Sequence, residues 1–132
     1  MNTGTRNVAI LSGPLASEQK IITTKHERKI LRFRLNTPEE MKKKDGVKFV
    51  KNEYHNIVVY SQSLIARFVE AEPKIGDTVT VEGSVTYRDY EIDGKKKHIT
   101  EIVVTERNGD LRVEKESEKI FSENEEKNVD MR

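Results

Sequence analysis

Tyr54 and Tyr60 stand at the two ends of one alternating face in the segment Glu53-Tyr54-His55-Asn56-Ile57-Val58-Val59-Tyr60. Side chains switch faces at every residue of a β-strand, so Tyr54, Asn56, Val58 and Tyr60 point one way and His55, Ile57 and Val59 the other. A face with an aromatic ring at each end is poor for water and suited to flat partners. The segment Thr78 to Tyr90 repeats the arrangement. Val79, Val81, Gly83, Val85 and Tyr87 share an inward face, whereas Thr80, Glu82, Ser84, Thr86, Arg88 and Tyr90 share the outward one. Rings beside cations on a mostly polar sheet face suit the stacking of bases while phosphates are neutralised. The competing reading is ordinary cross-strand packing, the commoner role of strand tyrosines. Tyr87, on the inward side, is expected in the core or in an interface.

Other chemistry finds little support. No nucleophile and base are paired, and Glu39, Glu40 and Asp93 fall without convergent spacing, so no catalytic residues and no cofactor are assigned. Three histidines and no cysteine give no metal spacing, and His26 and His98 carry no functional claim. The absence of cysteine also leaves no disulfide framework, which fits a reducing cytosol. No apolar run approaches a membrane span, and the opening Met1-Asn2-Thr3-Gly4-Thr5 has neither a signal core nor a presequence pattern. A cytoplasmic protein without a membrane partner is expected.

The elements that must position these residues fit a single domain of 132 residues. Hydrophobic residues make up 34% and charged residues 36%. This is thin for a self-sufficient core, so disordered ends or burial by oligomerisation are expected. The net charge of +1 hides a gradient. Residues 112–132 hold seven acids and five bases, leaving 19 bases against 16 acids in residues 1–111. A mildly basic body with an acidic tail occurs in nucleic-acid partners, but on charge alone a solvated surface and a frayed terminus are the better reading.

A strand over Val8–Leu15 should bend at Gly13, where a missing side chain permits a close approach. Lys29–Thr37 is the second strand, with Leu31, Phe33 and Leu35 inward and Ile30, Arg32, Arg34 and Asn36 outward. A lysine-rich connection over residues 38–52 follows, with Asp45-Gly46 able to turn a hairpin tip within it. The third strand ends at Tyr60. Ser63–Glu72 is predicted as the one helix, capped by Ser63, with Leu64, Ile65, Phe68 and Val69 as its apolar stripe and Pro73 beyond its end. The fourth strand runs from Thr78 to about Ile92, Asp93-Gly94 makes a type I′ turn, and Lys97–Glu106 is the fifth strand. After Leu111 the apolar pattern stops. The expected layout is therefore an all-β domain over residues 1–111 and a disordered acidic C-terminal tail over residues 112–132. Three strands, a helix and two strands match a five-stranded Greek-key barrel of the OB-fold, with its helix between the third and fourth strands.

At the level of motifs, Val8-Ala9-Ile10-Leu11-Ser12-Gly13-Pro14-Leu15, Glu53-Tyr54-His55, Val58-Val59-Tyr60, Val81-Glu82-Gly83 and Thr100-Glu101-Ile102-Val103-Val104 occur in order and at similar spacing to the bacterial-type single-stranded DNA-binding protein (SSB) family. The chain resembles that family from about Asn7 to Val104. The resemblance implies an OB-fold homotetramer, with a dimer as the alternative, that binds and protects single-stranded DNA without sequence preference in replication, recombination and repair. It implies base stacking on Tyr54, Tyr60 and Tyr90, backbone contacts from Lys74 and Arg88, and a subunit-interface role for His55. Arg32 and Arg34 on the outward face, and Lys42, Lys43, Lys44 and Lys96 in the loops, are further phosphate candidates. Met41 stands where the family carries a fourth ring, a Trp. Asn56, Gln62 and Thr86 replace usual bases, and the lysines of residues 42–44 and 95–97 can compensate. Replication and repair proteins are implied partners, in a nucleoid-associated cytoplasmic setting. The family's acidic Pro-Phe ending is missing from the tail. Two alternatives stay open: an OB-fold replication-restart (primosomal) or protein-interaction module with weak nucleic-acid binding, and a metal-assisted nuclease built on an OB-barrel.

Overall fold

Alternation along one eight-residue strand organises the core. In Lys29–Asn36 (β3), Leu31, Phe33 and Leu35 are buried while the intervening residues are half-buried or exposed. The computed structural model describes residues 4–115. Around β3 lie strands Ala9–Pro14 (β1), Lys20–Thr23 (β2), Glu39–Lys42 (β4), Lys48–Lys51 (β5), Tyr54–Val59 (β6), Thr78–Ile92 (β7), Lys95–Val104 (β8) and Asp110–Glu114 (β9). One helix, Gln62–Glu70 (α1), falls between β6 and β7.

The main sheet runs β1-β7-β8-β6-β3-β2, with β9 also on β7. β6 and β8 are parallel, and every other pairing in that sheet is antiparallel. The sheet closes where Leu15 bridges Leu35 and the Ala16 N–H donates to the Arg34 carbonyl at 2.9 Å. A methyl group at Gly13 would sit 1.9 Å from the Asn36 carbonyl oxygen, so only glycine permits this crossing. β1, β3, β6, β7 and β8, with α1 between the third and fourth of them, form the five-stranded OB-fold barrel expected from the sequence.

Inside the barrel Leu15, Leu31, Leu35, Ile57, Val59, Val79, Val81 and Val104 are almost fully buried. α1 plugs one end with Leu64, Ile65 and Phe68, and the Phe68 ring stacks on Phe33 at 5.0 Å between centroids. The helix starts earlier than Ser63. Ser61 is its N-cap, and its buried Oγ accepts from the Leu64 N–H at 3.3 Å. Val69 is exposed, one position off the buried stripe.

Two strands were hidden from the sequence reading. β2 is a hairpin partner of β3 through a Thr24–Arg28 turn that contains no glycine, with Glu27 taking the positive φ of 61°. β9 continues beyond the expected domain boundary at Leu111. Arg112, Val113 and Glu114 pair with Thr80, Val79 and Thr78, and Leu111 is buried. Residues 112–114 therefore belong to the barrel. The remainder of the expected tail, from residue 116 on, lies outside the described residues.

The connection over residues 38–52 folds into the β4–β5 hairpin. Its Asp45-Gly46 tip has Gly46 at φ 89°, and the Lys43 N–H donates to the Val47 carbonyl at 2.9 Å. The β4–β5 pairing keeps the register of β3 and β6: Asn36 faces Tyr54, Glu39 faces Lys51 and Met41 faces Phe49. The Thr37 N–H donates to the Glu53 carbonyl at 2.9 Å and carries the ladder across the break. Side-chain contacts across the break obey the same alternation. Asn36 bonds Asn52 among the even residues, and Thr37 bonds His55 and Lys51 pairs with Glu53 among the odd.

At its far end the β7–β8 hairpin extends beyond the barrel as an arm. Asp93 and Gly94 both take positive φ, 52° and 75°, as a type I′ turn requires. Tyr87 lies on this arm and is 77% exposed, so of the two places expected for it, core or interface, the core is not realised. The inward face of β7 stops being inward once the strand has left the barrel.

Candidate nucleic-acid interface

Register brings the outward residues of four strands onto one surface. Arg32 lies opposite Val58, Arg34 opposite Asn56 and Asn36 opposite Tyr54. Asn56 neighbours Glu101 on β8, and across β7–β8 the pairs are Thr86 with Glu101, Arg88 with Ile99 and Tyr90 with Lys97. Of these, Arg32, Arg34, Asn56, Val58, Ile99 and Glu101 line, with residues 17–20, a groove of about 380 Å³, and the other side chains share the sheet face beside it. Val58 is fully buried yet stands apart from the barrel's hydrophobic cluster, and it forms the groove floor.

The rings sit along this surface, and two of them, Tyr54 and Tyr90, have a guanidinium over them. Tyr54 is 50% exposed, and the Arg34 guanidinium lies 4.7 Å from its centroid. Tyr90 is partly exposed, with the Arg88 guanidinium 5.8 Å from its centroid. Tyr60 is also exposed and lies close enough for its hydroxyl to act on the charge of Arg88. Arg88 thus lies over Tyr90 and within electrostatic reach of Tyr60, while Tyr54 and Arg34 form a separate pair on the same sheet face. Cation–π contact holds these two guanidiniums beside a ring, where each can meet a phosphate while the ring meets a base.

One acid orders the cations. Glu101 is 4% exposed. Its Oε1 accepts from Arg88 Nε at 3.0 Å, and its Oε2 accepts from Arg88 Nη2 at 3.2 Å and Arg32 Nη1 at 2.9 Å. Burial alone would raise the Glu101 pKa, but the bonds and charges of Arg88 and Arg32 outweigh it and hold the carboxyl below its ordinary value. The Arg88 pKa is raised in turn, mainly by its bond to Glu101. Two guanidiniums on one carboxylate leave a net positive charge and fix both arginines in place.

A model of the Single-strand binding protein family matches residues 6–110. The chain belongs to that family. Among solved structures, this SSB-family chain is similar to the SSB of Plasmodium falciparum in complex with ssDNA, with 30% identity and a TM-score of 0.75 over 86% of this chain and 98% of that one. It also shares its fold with a deletion mutant of the single-stranded DNA binding protein from Thermus aquaticus, at 21% identity and a TM-score of 0.65 over 84% of this chain and 51% of that one.

Of the residues singled out from the sequence, the structure gathers Tyr54, Tyr60, Tyr90, Arg32, Arg34 and Arg88 on the groove face. Others lie elsewhere. Lys74 follows α1 and lines, with Ile75, an adjoining depression that shares Glu18 and Gln19 with the groove. Lys42, Lys43 and Lys44 sit at the tip of the β4–β5 hairpin, with Lys43 over the Phe49 ring at 5.8 Å. Lys96 pairs across the arm with Glu91 and faces away from Tyr90, whereas Lys97 is opposite Tyr90 and shares its face. His55 is half-buried on the face opposite the groove and shares a 2.8 Å hydrogen bond with Thr37. Met41 and Phe49, partners across the hairpin, are both partly exposed. Among the described residues no cluster of three or more His, Cys, Asp or Glu could hold a metal ion. No helix there is long and apolar enough to cross a membrane.

Sequence reasoning missed Glu101 and Phe49, and from the run 95–97 it singled out Lys96 where the register puts Lys97 beside Tyr90. A carboxylate in the apolar run Ile99-Thr100-Glu101-Ile102-Val103-Val104 was the available signal for Glu101, since an acid in a strand bound for burial needs a cationic partner.

Proposed function

We propose that this SSB-family protein binds single-stranded DNA along the groove, with bases on Tyr54, Tyr60 and Tyr90 and phosphates met by Arg34, Arg88, Arg32 and Lys97. The observation that carries this reading is the alignment of three exposed rings on one sheet face, two of them with a guanidinium over the ring. Each stacked base contributes about 1–3 kcal/mol, and each phosphate contact adds a salt slope of about −0.7 on single strands. Every base has a flat face, so the binding is indifferent to sequence. Duplex DNA hides those faces and is excluded.

The same reading makes the protein a binding protein with no catalytic step, acting in replication, recombination and repair in the nucleoid region of the cytoplasm. A homotetramer is the proposed assembly, with His55 at a subunit contact, and replication or repair proteins are the proposed partners. Exposed Val8, just before β1, and Ile10 within it supply apolar surface for such contacts. Titrating the intrinsic tyrosine fluorescence, in a chain without Trp, with oligo-dT at several salt concentrations tests the binding. Saturable quenching that weakens with salt supports it. Strand cleavage on adding Mg²⁺ would instead favour an enzyme.

A further inference from the structure

Gln62, which replaces a usual base, has its side chain bonded to the main chain. Its Nε2 donates to the Lys29 carbonyl at 2.8 Å and to the Tyr60 carbonyl at 2.9 Å, and its Oε1 accepts from the Lys29 N–H at 2.9 Å. The β3–β6 register explains this arrangement. Leu31 faces Val59, so two residues further along Lys29 would face Ser61. The ladder stops short there, because Ser61 becomes the N-cap of α1 and its Oγ accepts from the Leu64 N–H. The Gln62 carboxamide fills the gap as a peptide group would, offering Lys29 both a donor and an acceptor. A lysine at this point could only donate, and a carboxylate could only accept.

The same carboxamide fixes the residue between strand and helix. The Tyr60 N–H donates to the Val104 carbonyl at 2.9 Å, and the Tyr60 carbonyl accepts from Gln62. Both backbone polar groups of Tyr60 are therefore held, one by β8 and the other by the clamp onto β3, while its ring stays exposed. Tyr54 and Tyr90 lie within paired strands, opposite Asn36 and Lys97, whereas Tyr60 comes just after the last paired residue of β6, Val59. Taking the groove reading as given, we propose that Gln62 is a positioning residue for single-strand binding, which holds the Tyr60 ring ready for a base without itself touching the strand. A ring already in place loses less freedom when a base stacks on it, so the clamp strengthens binding through Tyr60 alone.

The test is a double-mutant cycle on oligo-dT affinity with Gln62→Met, which keeps the length of the side chain and removes its hydrogen bonds. Gln62→Met should weaken binding by about 3- to 10-fold in the wild-type chain and in Tyr54→Ala, and by less than about 2-fold in Tyr60→Ala. Fluorine NMR of protein carrying 3-fluorotyrosine at its four tyrosines should show the Tyr60 signal shifted or broadened by Gln62→Met, with Tyr54, Tyr87 and Tyr90 unchanged. If Gln62→Met does not fold, Gln62→Glu enters the same cycle, where its added charge acts in every background and cancels in the comparison. An equal loss in all three backgrounds, no loss in any, or failure of both variants to fold would overturn the inference. Wild-type binding that Tyr60→Ala weakens would still leave the groove reading intact. Wild-type protein that does not bind oligo-dT, or that binds it equally well with Tyr60→Ala, would remove stacking on Tyr60, and this inference with it.

Discussion

Glu101 decides how the cationic residues of the groove behave. It is buried, bonded to two arginines and held below the ordinary carboxylate range, so it contributes stability that is complete above the unfolded carboxylate's titration and is lost as pH falls through its lower folded value. Glu101→Gln should lower stability by about 1–3 kcal/mol near neutral pH, because both guanidiniums lose their charged acceptor, and should flatten the acid limb of a stability-versus-pH curve. Denaturant melts of both proteins across the acid range check this. An unchanged acid limb would show that Glu101 is not the group that titrates. At the rings, Tyr54→Ala and Tyr60→Ala should each weaken oligo-dT binding by about 1–3 kcal/mol. Lys96→Ala, on the reverse of the arm, should change it by far less. Equal losses in all three variants would refute stacking. The rings were legible because strand alternation places them. Lys97 was not, because the exact register of a hairpin decides which lysine of a Lys-Lys-Lys run shares a face with Tyr90.

Among the elements, those with strong punctuation were readable from the sequence: β3 by alternation, the arm by Asp93-Gly94, and α1 by its stripe and Pro73. β2 was not, since its turn relies on Glu27 in a positive-φ conformation rather than on glycine. β9 was masked by charged composition, yet Leu111 and Val113 pack against the barrel, and a methyl group at Gly109 would sit 2.5 Å from the Val104 side chain, so glycine lets the chain turn there. Truncation after Asn108 should therefore lower the thermal midpoint measurably, even though it removes mostly polar residues. A midpoint unchanged by the truncation would show that β9 does not hold the barrel. α1 supports the barrel through one stacked pair of rings. Phe68→Ala should cost about 3–5 kcal/mol in an unfolding titration, because it empties the space beneath Phe33. A loss under about 1 kcal/mol would mean that the helix is not a structural plug.

For the whole molecule, the central claim is that exposed rings and ordered guanidiniums on one curved sheet hold unpaired nucleotides without reading them. The family and the barrel follow from motif order and strand alternation. The groove needed coordinates, because it is assembled from residues on four strands whose separation in sequence conceals their adjacency. Solution mass, by sedimentation or light scattering, addresses the proposed tetramer, and a monomeric mass would leave His55 and the exposed β1 residues without their proposed role. The most direct measurement is tyrosine quenching by oligo-dT, followed at increasing salt, against a duplex of equal length and a mixed-sequence single strand. The account predicts similar saturable quenching by both single strands, a salt slope of several phosphate contacts at about −0.7 each, and little response to the duplex. Quenching by the duplex as strong as by the single strands would contradict it.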